Sequence, residues 1–258
     1  MNVCKDPPKL GLGLDGVRRL PLKFRWTEMV RKTKDEASET RSRLLDAAER
    51  VFNKNGVSCT SLNEIAKAAG LTRGAIYWHF KNKADLFDAM MARATLPMEE
   101  MVARASDQSI HEPLAYIREC AVYVLVRTAT DKQLQRVFDI SSHKCEYVGD
   151  MVQMRTRLIE GRNACLSQIE AGISHAIQKG QLPETINPRR AAIGMHALID
   201  GLIANWVLDP GYFKLAKEAE GMVDVYLAGL GAKPKKLAAM AAASGGAVSP
   251  KVSSRKKG

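Results

Sequence analysis

The chain has 258 residues and carries 39 Lys and Arg against 28 Asp and Glu, a formal net charge of +11. A hydrophobic fraction of 46% excludes an intrinsically disordered chain, and the length accommodates a small head plus a larger body. Good helix formers (Ala, Leu, Arg, Glu, Lys and Met) are plentiful and few windows alternate in the manner of a strand, so an all-α protein is expected.

The placement of charge says more than its total. Residues 29–83 carry a net +5 and residues 84–231 a net −4, while segments 1–28 and 232–258 add +3 and +7. A basic head on an acidic body suits a protein that turns one face toward phosphates. The cysteines Cys4, Cys59, Cys120, Cys145 and Cys165 include no CxxC pair, so neither a metal site nor a disulfide framework is expected and a cytoplasmic location fits. Residues 1–28 hold no apolar core followed by a cleavage site, so no secretory signal is read there. The longest apolar stretch, residues 191–208, contains His196, Asp200 and Asn205 and reads as a buried helix, not a membrane span.

In chain order, residues 1–28 are rich in Pro and Gly and lack helical periodicity, so they are expected to be a disordered or dispensable extension. Gly11, Gly13 and Gly16 match GxGxxG, but with no preceding strand and with Pro21 close behind, the match is accidental. Helical periodicity begins after Ser38. Leu44, Leu45, Ala48, Val51 and Phe52 share one face, and Arg41, Arg43, Glu49 and Arg50 fall on the polar one. Gly56 ends this helix. Ser61 and Glu64 form a capping box for a short second helix that Gly70 terminates. Thr72 caps a third, running to about Phe80, and Asn82 a fourth. Longer helices follow over about 113–130, 131–145, 150–179, 188–208 and 215–230, with Pro113 and Pro188 at helix starts. Residues 231–258 have no apolar stripe and read as a disordered basic tail.

The second and third helices, joined by Ala69-Gly70-Leu71-Thr72, fit a helix-turn-helix. The start of the second helix of such a pair must be small, and Gly74 keeps it so. Arg73, Tyr77 and His79 project where bases and phosphates would lie, with Ile76 and Phe80 anchoring the other face. Thr72 and Lys83 stand where a hydroxyl and an ammonium could grip phosphates.

The run TSLNEIAKAAGLTRGAIYWHFKNKADLF (60–87) resembles the signature of the TetR family. Within it, MVRKTKDEASETR (29–41), HKCEYV (143–148) and RAAIGMHALIDGLIANW (190–206) resemble the AcrR/TtgR-type multidrug-efflux repressors. The resemblance implies about nine helices. These divide into a helix-turn-helix DNA-binding domain at 29–84 and a ligand-binding and dimerisation domain at 85–230. It implies a homodimer built by the last two helices, a palindromic double-stranded operator beside an efflux operon, and release by a small hydrophobic or aromatic inducer. Carried onto this sequence, the DNA contacts fall on Thr72, Arg73, Gly74, Tyr77, Trp78, His79 and Lys83. The ligand positions fall on Phe138, Ser142, Cys165, Ile169, His196, Ile199 and Asp200. Asp200 is the only charged residue between Arg190 and Asp209, so it is expected to hold a structural donor or to await a ligand's hydroxyl or amine.

Each of these residues has a plainer role as well. Cys165 alone reads as a small buried hydrophobe, His79 as structural, and His143 with Cys145 as a helix junction. No nucleophile–base pattern, metal-ligand spacing or phosphate loop is present, so no enzyme and no cofactor is expected. A regulator of a metabolic operon and a constitutive architectural DNA binder are the competing functions. An acidic helical body of 150 residues is more than an architectural protein needs.

Overall fold

The computed structural model describes the backbone of residues 22–231 and the side chains of residues 34–231. The basic tail, most of the N-terminal extension and its glycine motif lie outside the described residues. Every described element is helical: α1 (Leu22–Asn55), α2 (Leu62–Ala68), α3 (Arg73–His79), α4 (Lys83–Ala103), α5 (Pro113–Thr130), α6 (Lys132–His143), α7 (Val152–Gln178), α8 (Pro188–Leu208) and α9 (Leu215–Gly229). Short 3₁₀ turns at Arg104–Ser106 and Gly149–Met151 follow α4 and precede α7.

The chain divides into two compact units, residues 1–42 and 43–258. In the first, the described side chains 34–42 are exposed or half-buried, and Thr40 Oγ1 donates to the Glu36 carbonyl at 2.8 Å. Helix α1 begins at Leu22, well before the periodicity that starts after Ser38, so residues 22–28 are helical and not irregular. Neither Gly nor Pro occurs between Leu22 and Asn55, so nothing in the backbone stops the helix; periodicity marks only the part with a face to bury.

The second unit contains two hydrophobic cores. One gathers Leu44, Leu45, Phe52, Ile65, Ile76, Phe80, Leu86, Phe87 and Met90, together with Val137 and Ile140 of α6 and Met151 and Met154 beside the start of α7. The other gathers Leu114, Ile117, Leu125, Leu166, Ile173, Ala192, Met195, Ile203, Trp206, Val223 and Leu227 from α5, α7, α8 and α9. Helix α4 serves both. Its Leu86, Phe87 and Met90 fill the first core, and Met101 and Val102 pack against the second.

Two expectations are corrected. Glu49, assigned to the polar face of α1, is only 2% exposed, because α4 and α6 cover that side of the helix. Helix α8 is not wholly buried. Ala191, Ala192, Met195, Ile203, Trp206 and Val207 face the core, while Ile193 and Leu208 stand exposed. α8 is the one described helix long and apolar enough to cross a membrane, a property it shares with the core helices of soluble proteins.

Candidate nucleic-acid interface and effector region

The helix-turn-helix is built by local chemistry. The Ser61 amide donates to Glu64 Oε2 at 2.7 Å while the Glu64 amide donates to Ser61 Oγ at 3.2 Å, closing both ends of the capping box. Gly70 turns left-handed at φ 67°, and the Leu71 amide then reaches the Ala66 carbonyl at 2.9 Å. Arg43 of α1, assigned no role from sequence, donates from Nη2 to the Ala69 carbonyl at 2.9 Å and ties the turn to α1. The turn needs a donor there because the last carbonyls of a helix have no partner of their own.

Thr72 Oγ1 accepts the Ala75 amide at 3.2 Å and starts α3. Ile76 and Phe80 are buried, so the opposite face of α3 is outermost. Arg73 and Gly74 lie exposed there, with Tyr77 48% and Trp78 74% exposed. The Arg73 guanidinium sits 5.5 Å from the Tyr77 ring centroid, and the Trp78 and His79 rings meet edge-to-face at 4.5 Å. Among the described residues, the nearest atom that a Cβ added at Gly74 would meet is Thr72 Oγ1 at 3.9 Å. Internal packing therefore does not demand a glycine there.

Lys83 departs from its expected place. Its ammonium donates to the carbonyls of Val57, Ser58 and Thr60 at 2.9, 3.3 and 3.2 Å. An ammonium has three protons, and these bonds use them all on the loop between α1 and α2. Lys83 holds that loop to the start of α4 instead of projecting outward.

Of the seven candidate effector residues, Phe138 (α6), Ile169 (α7) and Ile199 (α8) pack, half-buried, against the larger core. Cys165, His196 and Asp200 form a second group between α7 and α8. His196 Nδ1 lies 3.1 Å from Asp200 Oδ2, and the Cys165 side chain is a neighbour of the ring. The Asp200 carboxylate first, and then the Cys165 side chain, raise the imidazole from its ordinary value to about 10. Asp200 is not the buried carboxylate its apolar helix suggested: its side chain is 66% exposed and its ion-pair partner is His196, one turn earlier. Ser142 is exposed, near the end of α6.

A further constellation escaped sequence reasoning. Buried Glu49 accepts from Arg93 of α4 and from Gln133 and Arg136 of α6, and Arg93 also pairs with Asp46 at 2.8 Å. The only signal was an acid within a helix whose partners lie about 44 to 87 residues away. On α5, Arg118 binds Asp224 of α9 through Nε at 2.5 Å and Nη2 at 3.0 Å, and Glu220 at 2.9 Å.

Residues 44–90 match the model of the bacterial regulatory proteins, tetR family, and residues 112–231 that of the MAATS-type transcriptional repressor C-terminal region. The chain is 44% identical over 202 residues to the HTH-type transcriptional regulator AcrR of Shigella flexneri, covering 77% of this chain and 93% of that one. It belongs to the TetR family. Solved structures of efflux-pump repressors align with it, two of them as follows. NalD, the secondary repressor of the MexAB-OprM multidrug efflux pump in Pseudomonas aeruginosa, aligns with a TM-score of 0.69 at 33% identity, over 76% of this chain and 97% of that one. The triclosan complex of SmeT, repressor of the Stenotrophomonas maltophilia multidrug efflux pump SmeDEF, aligns with a TM-score of 0.67 at 30% identity, over 74% and 91%. The helix-turn-helix and the helical body are thus those of a TetR-type transcriptional regulator.

Proposed function

We propose that this regulator represses a multidrug efflux operon and that small hydrophobic or aromatic compounds release it from a palindromic operator. The observation that carries the reading is the outer face of α3, where Arg73, Tyr77 and Trp78 stand exposed beside a glycine that the chain's own packing does not require. A helix bare at its start can lie close against base edges, with Arg73 reading guanine and Thr72, Tyr77 and His79 placed for phosphates. Trp78 lies at the rim of this face, and residues 29–84 are the segment assigned to it.

The protein works as a cytoplasmic homodimer in this reading. Exposed Ile193 and Leu208 of α8, Tyr212 after it and Val225 of α9 are large apolar side chains for a lone chain to leave in water. Between α8 and α9 lies an open apolar depression of about 700 Å³ that includes Ala197, Gly201 and Met222. Covering this surface with a second copy sets two recognition helices about one DNA turn, ~34 Å, apart. An inducer among Phe138, Cys165, Ile169, His196 and Ile199 binds the conformation whose heads no longer match that spacing, and repression falls with its differential affinity.

The test is a labelled fragment of the protein's own upstream region, titrated with the full chain and then with triclosan. Binding at nanomolar protein, lost on adding the compound, is the expected result. Binding that no apolar or aromatic compound relieves would overturn it.

A further inference from the structure

An apolar effector site orients its ligand through a few polar groups, and the acid expected to do so here is turned away. The Asp200 side chain is 66% exposed and pairs with His196. Gln168 of α7 is placed the other way. It is half-buried, its Oε1 is shielded from solvent, and that oxygen accepts no hydrogen bond from any described residue. Buried polar side-chain atoms are nearly always partnered, because one left alone costs stability. The Gln168 carboxamide is therefore available to a hydrogen-bonding group from outside the chain.

The register of α7 locates it. Gln168 stands three residues after Cys165, beside Ile169 and four residues before Gly172, so Cys165, Gln168 and Gly172 share one stripe of the helix. Ile169 packs against the larger core. At Gly172 an added Cβ would come within 2.7 Å of the Ala105 carbonyl oxygen and 3.0 Å of Ile117 Cδ1. The stripe thus faces α5 and the 3₁₀ turn after α4, in contact at Gly172. His175, further along it, is 3% exposed, and its Nδ1 also has no hydrogen-bond partner among the described residues. That imidazole lies beyond the tight approach at Gly172, whereas Gln168 lies on the side that carries Cys165 and Ile169.

A hydroxyl both donates and accepts, so it can satisfy a carboxamide turned either way. A phenol adds a flat apolar ring of the kind that Phe138, Ile169 and Ile199 can cover.

We propose that Gln168 is the specificity-determining residue of the effector site and that its carboxamide takes the hydroxyl of a phenolic inducer. The inference rests on the proposed reading of this region as the effector site. A ring that lacks the hydroxyl leaves the carboxamide alone and binds more weakly.

The experiment is a calorimetric titration of the full chain, without DNA, using triclosan (a phenol) and its methyl ether. Wild type is compared with Gln168→Met, which keeps the length of the side chain and removes its polar end. Wild type is expected to prefer the phenol by roughly tenfold or more, and Gln168→Met to bind both compounds within about twofold. Because the variant loses a buried oxygen with no partner, it should melt about 2–4 °C above wild type when unliganded. Gln168→Leu repeats both measurements with a second apolar shape. Equal affinity of wild type for phenol and ether, a preference kept in Gln168→Met, or a lowered melting midpoint in both variants would each overturn the proposal. Operator release is followed separately. If triclosan binds with the Gln168-dependent preference but leaves operator bound, the induction reading fails and Gln168 keeps its role. If phenol and ether release operator at the same concentration, the role of Gln168 fails and the induction reading stands. Binding of neither compound overturns both.

Discussion

The Glu49 carboxylate on α1 accepts a hydrogen bond at 2.5 Å from Gln133 Nε2 on α6, 84 residues further along the chain. Arg136 of α6 reaches the same carboxylate at 3.4 Å, and Arg93 of α4 completes its coordination. A helix of the first hydrophobic core is thereby joined through one buried acid to α4 and α6. Burying that acid is tolerable only because several donors meet it.

Glu49→Ala should therefore cost about 2–3 kcal/mol, since it strands donors from two helices at once. The partly exposed guanidiniums of Arg93 and Arg136 can regain water, which keeps the loss at this level. Urea unfolding followed by circular dichroism measures it; a midpoint unchanged from wild type would show that the network contributes nothing net.

Arg73→Ala should weaken operator binding by about 1–3 kcal/mol and relax sequence preference, as expected for a base-reading arginine. Fold stability should hardly move, because Arg73 is exposed and, among the described residues, meets the Tyr77 ring. Anisotropy titrations on operator and on scrambled DNA separate the two effects. An equal loss on both would make Arg73 a phosphate contact.

Lys83→Met should act on stability. Losing the bonds to Val57, Ser58 and Thr60 frees the loop between α1 and α2 and takes this donor from the part-buried Thr60 carbonyl, at about 1–3 kcal/mol. The dependence of operator affinity on salt should stay as in wild type. A slope lower by about one unit would instead restore Lys83 as a phosphate contact.

Val225→Glu should break assembly without unfolding the chain. Val225 is 75% exposed in a single copy, so a glutamate there costs a lone chain little. Across an interface between two copies it buries charge against charge. Sedimentation should show a dimer for wild type and a monomer for the variant, with operator binding lost alongside.

The His196–Asp200 pair sets a pH dependence. The imidazole is raised from 6.5 to about 10, chiefly by Asp200. A raised value in the folded state means stabilisation complete below about 6.5 and lost as pH climbs through 10. The stability gap between wild type and Asp200→Asn should thus be widest near pH 6 and close by about pH 10.5. Exposure of the carboxylate keeps the gap small. Denaturation midpoints at both pH values check the sign, and a gap widening with pH would contradict it.

The sequence by itself determined most of the helices and their caps, though not the start of α1 at Leu22. The Ser61–Glu64 box, Thr72 and Asn82 as caps, Gly70 as a left-handed turn, and Pro113 and Pro188 at helix starts all stand where the short-range rules put them. Such signals are legible because both partners lie within about four residues of each other. The resemblance of residues 60–87 supplied the family for the same reason, since a contiguous run encodes the whole recognition unit. Only the tertiary structure decided what the charged residues do. Glu49 looked solvated until α4 and α6 closed over it, Lys83 looked free until the α1–α2 loop supplied carbonyls, and Asp200 looked buried until α8 left its side chain 66% exposed. A charged side chain takes its environment from elements far along the chain. Helical periodicity reports which face of a helix is apolar, not which distant helix arrives to cover it.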